Sequence, residues 1–185
     1  MVTASQANEP IPNELDWISN FLSFERKLTG DDIENVRNFS ILWNLFEGLV
    51  CNRNASIIAL ENAVSDMQNR NKLVIDDYNK FLKYFSNRYI ENGETNHRFD
   101  RLNLRRGDKP ELVEAVLKGN EIAPEKVLLA ILIIVYRYRN NLFHGGKFNG
   151  HWFEPERSEP LLRHSLTILT ACVEATPSVR EAYHG

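Results

Sequence analysis

Apolar residues recur every three to four positions along most of this chain, the spacing that lines one face of an α-helix. Trp17, Phe21, Phe24 and Leu28 form the first such face and predict a helix from about Asn13 to Thr29. Gly30 is suited to stop it, and Asp31 or Asp32 to cap the next. The second helix carries Val36, Phe39, Trp43, Phe46 and Val50 on one side, with Leu42, Leu45 and Leu49 beside them. So wide an apolar face belongs deep in a domain. Asn52-Arg53-Asn54 kinks or ends this helix, and the stripe Ile57, Leu60, Val64, Met67 continues it or opens another.

Downstream, Asp76-Asp77 reads as the cap of a run in which Tyr78, Phe81, Phe85 and Tyr89 share a face, closed by Asn92-Gly93. Both aromatic stripes, this one and Trp17/Phe21/Phe24, read as core. The pattern is lost from about Thr95 to Lys109. Pro110 and Pro124 each suit the first turn of a helix, a short one ending near Gly119 and a long one through VLLAILIIVYRYRNNLFH to Gly145-Gly146. A last helix over about Glu159 to Ala175 carries Leu162, Leu166, Leu169 and Val173. No alternation of period two is long enough for a strand, and no segment repeats. The expectation is an all-α bundle of about six to seven helices in one domain over 13–185, after a flexible N-terminal tail over 1–12.

Composition fits that reading and removes several functions. At 185 residues, 43% hydrophobic and 25% charged, the chain can bury a core and is not disordered as a whole. A net charge of -3 excludes a globally basic nucleic-acid binder while leaving room for a local basic site. Cys51 and Cys172 are too few for a disulfide scaffold and have no metal-ligand spacing, so a reducing compartment is expected. The polar start of the chain lacks the charged and apolar regions of a secretion signal. Val127–Val135, the most apolar stretch, has about half the roughly 20 residues that a membrane helix needs. A cytoplasmic protein with no membrane partner, metal or cofactor is the expectation.

Candidate chemistry concentrates in Tyr136-Arg137-Tyr138-Arg139-Asn140-Asn141-Leu142-Phe143-His144-Gly145-Gly146-Lys147. The apolar first half of the long helix fixes it in the core, and its polar end emerges where a cleft can form. Arg137, Asn140 or Asn141, and His144 share a face. Arg139 lies well around the helix from His144 and joins the same site only if the helix end distorts or a second chain contributes. Arginine, asparagine and histidine without a nucleophile or an acidic pair point to phosphate. Arginine offers a fork of donors, histidine moves a proton near neutral pH, and an amide holds a phosphate oxygen or the imidazole. In RNA the 2′-hydroxyl is itself a nucleophile, so a base near it and a cation on the phosphorane are enough.

Arg139-Asn140-Asn141-Leu142-Phe143-His144 resembles the R-x4-6-H motif of the HEPN superfamily, including the polar residue after the arginine. Arg137 to His144 also fits as the longer form, and Asn140 directly after Arg139 favours Arg139. The resemblance rests on this short motif together with the apolar helix before it, the FHGG finish and the helical character of the chain. It implies a metal-independent endoribonuclease in which two protomers set their motifs in one composite cleft, with Arg139, Asn140 and His144 catalytic. The implied products are a 2′,3′-cyclic phosphate and a 5′-hydroxyl. RNA and a second copy are the implied partners, with an antitoxin or sensor protein in a toxin–antitoxin or anti-phage setting.

Other residues carry two readings each. Arg137 and Asn141 bind substrate, or Arg137 is a surface charge. Lys147 reaches a phosphate from behind the glycine pair, or is an ordinary solvated lysine. Glu47, on the deeply apolar second helix, pairs with an arginine of the motif or reaches water at the edge of the apolar face. The run from His97 to Arg106 is the most basic part of the chain. Either Arg101 and Arg105 follow an RNA backbone with Phe99 stacked on a base, or Phe99, Leu102 and Leu104 anchor a plain surface turn. The alternative to a nuclease is a non-catalytic HEPN-like module that binds RNA or a nucleotide, or mediates protein association.

Overall fold

An unbroken apolar run in a helix has no side to leave in water, so Val127–Val135 dictates a fold that surrounds it. Each of its residues is at most 5% exposed. The computed structural model describes residues 13–21, 29–73, 75–143 and 155–176. Among the described residues there are eight α-helices and a minimal hairpin: α1 Glu14–Phe21, α2 Gly30–Leu49, α3 Ile57–Asn69, α4 Ile75–Tyr89, β1 Ile90–Glu91, β2 Glu94–Thr95, α5 His97–Asp100, α6 Pro110–Leu117, α7 Pro124–Phe143 and α8 Pro155–Glu174. This is an all-α bundle. α7 holds the middle, packed against α3, α4 and α6, while α2 pairs mainly with α8. The tail expected over 1–12 lies outside the described residues.

Local chemistry explains the element ends. Asn52 and Arg53, both at positive φ, turn the chain out of α2. Ser56 then caps α3, its hydroxyl accepting the Ala59 N–H at 3.2 Å, so the stripe from Ile57 opens a new helix. Pro110 opens α6, and Gly119 at φ +76° follows its end. The Asn96 side chain caps α5 by accepting the N–H groups of Arg98 and Phe99.

Several elements differ from the sequence pattern. Asn92-Gly93, at φ 54° and 81°, forms the turn of a hairpin that pairs Ile90 with Thr95 and Glu91 with Glu94. Asn-Gly suits that left-handed turn, and strands this short show no alternation. Asp76-Asp77 falls inside the first turn of α4, which begins at Ile75. α8 begins at Pro155 and keeps Pro160 inside it; the proline forfeits one backbone bond, next to a fully buried Leu161-Leu162 pair. Tyr78, Phe81, Phe85 and Tyr89 are core, but Trp17 and Phe21 are 54% and 70% exposed. Their rings stack on each other at 5.0 Å instead of entering the core, and Phe24 lies outside the described residues. Leu45 is exposed as well, since an apolar face wider than the groove it packs against leaves a flank in water.

Candidate functional site

The polar end of α7 meets α2, the link after α2, and the stretch 101–108. Glu47, Ala55, Asn103, Leu104, Arg105, Asp108, Tyr136, Arg137, Arg139, Asn140 and Asn141 line a cleft of about 880 Å³. Of the residues singled out from the sequence, Glu47, Arg105, Arg137, Arg139, Asn140 and Asn141 therefore come together. Arg101 does not line the cleft; it is exposed and contributes its carbonyl to the packing of the stretch. His144 and Lys147 lie outside the described residues, and α7 is α-helical through Phe143, the residue before His144.

Arg139 is held on several sides. Its guanidinium lies 5.5 Å from the Trp43 ring centroid and 5.9 Å from that of Phe143. Nη2 is 3.8 Å from Glu47 Oε2, and Nη1 donates to Asn140 Oδ1 at 3.2 Å. Glu47 in turn accepts the Trp43 indole N–H at 2.9 Å and the Ala55 backbone N–H at 3.1 Å. One carboxylate thus joins α2, the link to α3 and Arg139. Of the two readings of Glu47, it is the arginine partner that forms. With side chains 24% and 26% exposed, the ion pair is screened by water, and its effect is orientation more than stability. Burial, then the Glu47 carboxylate, pushes the nearby Cys51 thiol up to about 12.

Arg137 serves a different partner. It is 6% exposed and is no surface charge. Its Nε donates to the Leu102 carbonyl at 3.2 Å, and Nη1 lies 3.5 Å from Asp108 Oδ2. Asn141, one turn on, donates to the carbonyls of Arg101 and Leu102, both at 3.1 Å. Leu102 is buried and Phe99 sits edge-on to Tyr89 at 6.4 Å, so the basic stretch is anchored to the core. Phe99 packs against the core as an anchor of the stretch, while Arg105 lines the cleft. Among the described residues, three arginines against two carboxylates give the cleft a positive balance in a chain of net charge -3.

Asp108, Trp43, Asn103 and Tyr136 also shape the site, and sequence reasoning missed them. Asp108 lies in an aperiodic stretch, and the signal for it was indirect: a buried arginine needs a carboxylate. Trp43 reads as core alone, yet a buried indole N–H needs an acceptor, and helical spacing supplies Glu47. Asn103 and Tyr136 carry no signal beyond their neighbours.

Among the described residues no three His, Cys, Asp or Glu side chains cluster to hold a metal ion. Among them, too, no helix is long and apolar enough to cross a membrane. No family model matches the chain, and neither a curated protein nor a solved structure matches it.

Proposed function

We propose that the chain is a metal-independent endoribonuclease of the HEPN type, acting as a homodimer whose two motifs share one cleft. The observation that carries this reading is Arg139 bonded to Asn140 in a cleft of positive balance, at the end of the helix that leads into His144. Arg137 is bound to Asp108 and the Leu102 carbonyl, so Arg139 is taken as the catalytic arginine. In the proposed reaction the RNA 2′-hydroxyl gives up its proton to a base and its oxygen attacks the adjacent phosphorus. The bond from phosphorus to the 5′-oxygen breaks, and that oxygen takes a proton. His144 acts as base or acid, Arg139 stabilises charge on the phosphorane, and Asn140 positions the phosphate or the imidazole. A second protomer supplies the complement to Arg139, which helical spacing in the sequence sets well around from His144. The proposed setting is a toxin–antitoxin or anti-phage system, with an antitoxin or sensor protein as a further partner.

The test is cleavage of a structured RNA pool in EDTA. Wild type is expected to cut, and His144→Ala and Arg139→Ala to cut at least about a hundredfold more slowly. A wild-type rate in either variant overturns the reading. A non-catalytic module that binds RNA or a nucleotide is the second reading. It is favoured by the way Glu47, Trp43 and Phe143 hold Arg139 within the chain itself. It predicts RNA left intact by wild type and variants alike, with binding or folding weakened in His144→Ala.

A further inference from the structure

Two of the cleft's arginines already face carboxylates, Arg137 with Asp108 and Arg139 with Glu47. Arg105 is the third, exposed and paired with no carboxylate among the described residues. The backbone beneath it is firmly held. Asp108 Oδ2 accepts the Arg105 N–H at 2.8 Å, and the same oxygen lies 3.5 Å from Arg137 Nη1. At the start of the stretch, Arg137 and Asn141 bind the carbonyls of Arg101 and Leu102. At its end, Lys109 adopts φ 55° directly before Pro110, and its ammonium reaches Glu61 on α3. A non-glycine residue in that left-handed region persists only where its surroundings hold it. An exposed cation with no carboxylate partner among the described residues therefore stands on a base bonded to α7 itself.

We propose that Asp108 is a positioning residue that holds Arg105 in the cleft Arg139 also lines, so that the site engages a strand with at least two phosphates rather than a single nucleotide. The inference rests on the ribonuclease reading and names the substrate class of that site. Arg139 meets the phosphate at the reacting centre and Arg105 a neighbouring one. Binding energy gathered away from the reacting bond then orients the strand.

The test is the salt dependence of binding to a short RNA oligonucleotide 2′-O-methylated throughout, which has phosphates but no free 2′-hydroxyl and stays intact. For single strands, each phosphate contact contributes about 0.7 to the slope of log affinity against log salt. Arg105→Ala is expected to lower the slope by about 0.7 and to weaken binding roughly five- to tenfold at low salt. Asp108→Ala keeps every arginine and removes both a negative charge and the acceptor of the Arg105 N–H, so net charge alone predicts tighter binding. Positioning predicts the opposite, weaker binding with a slope reduced as in Arg105→Ala. A nucleoside 3′-monophosphate is expected to bind wild type and Arg105→Ala alike.

An unchanged slope in Arg105→Ala overturns the proposal, and because that side chain is exposed the fold does not intervene. Equal or tighter binding by folded Asp108→Ala overturns it too. If Asp108→Ala does not fold, Asp108→Glu keeps the charge but displaces the acceptor by a methylene, and is expected to weaken binding in the same direction. Wild type that binds with this dependence yet leaves ordinary RNA intact sinks the ribonuclease reading alone. Cleavage of RNA with an unchanged Arg105→Ala slope sinks this inference alone.

Discussion

Replacing Arg137 by methionine removes a charge from the interior of the bundle and leaves its partner behind. The Arg137 and Asp108 side chains are 8% and 10% exposed, with the closest approach at 3.5 Å. Breaking a buried pair by removing one member costs about 3–5 kcal/mol, because the other charge stays in the interior. Two features hold the loss to the lower end. Asp108 keeps the Arg105 N–H at 2.8 Å, and the Leu102 carbonyl keeps Asn141 at 3.1 Å. Methionine also refills much of the space of the arginine stem. A loss of about 3 kcal/mol is therefore expected. In a chain of this size each kcal/mol moves Tm by about 2–4 °C, so Arg137→Met should unfold about 6–12 °C lower. Arg137→Lys keeps the charge but cannot reach the Leu102 carbonyl and Asp108 together, and should fall between the two. Thermal unfolding followed by circular dichroism gives the comparison. A shift smaller than about 2 °C in Arg137→Met would contradict a stabilising role for the pair.

Other substitutions and titrations follow from the same contacts. Glu47→Gln leaves one acceptor oxygen for the Trp43 and Ala55 N–H groups, so denaturant titration should show a loss of about 1–2 kcal/mol; undiminished stability contradicts that role. Burial is the first cause that pushes the Cys51 and Cys172 thiols up to about 12, so both stay protonated in mildly alkaline buffer. A thiol reagent should label neither in the native chain and both after unfolding, and rapid native labelling contradicts this. Burial, then Lys80, lowers His164 from its usual 6.5. The unfolded chain then takes up that proton before the native one, so the histidine's contribution to stability is present above 6.5 and is lost as pH falls below it. Lys80→Ala should raise the His164 midpoint in an NMR titration; a midpoint that stays put contradicts the assignment.

The helices were legible because a helix buried on one side or all sides writes that burial into its period. Val127–Val135 and the stripe Tyr78, Phe81, Phe85, Tyr89 are core as their spacing demands. Periodicity says which face is apolar, not whether another element covers it, and Trp17, Phe21 and Leu45 are exposed for that reason. The hairpin at Asn92-Gly93 was signalled only by its turn residues, since two residues per strand carry no pattern. The cleft was legible on α7, where Arg139, Asn140 and their neighbours lie close in sequence. Its other walls were not, because contacts such as Arg137 with Leu102 join segments far apart in the chain, and only packing decides them. Arg137 shows the limit most clearly: beside Arg139 in type and nearly in position, it is committed to a buried carboxylate instead.

In the proposed reaction Arg139 and His144 cut RNA through its own 2′-hydroxyl. The most direct test is digestion in EDTA of an RNA with one mapped cleavage site, beside the same RNA carrying a 2′-deoxynucleotide at that site. The ends of the products are identified by mass spectrometry. The expected result is a 2′,3′-cyclic phosphate and a 5′-hydroxyl from the all-ribose RNA, with the deoxy-substituted RNA intact and both RNAs intact with His144→Ala. Cleavage of the deoxy-substituted RNA, a 5′-phosphate end, or all-ribose RNA left whole by the wild-type protein would contradict it.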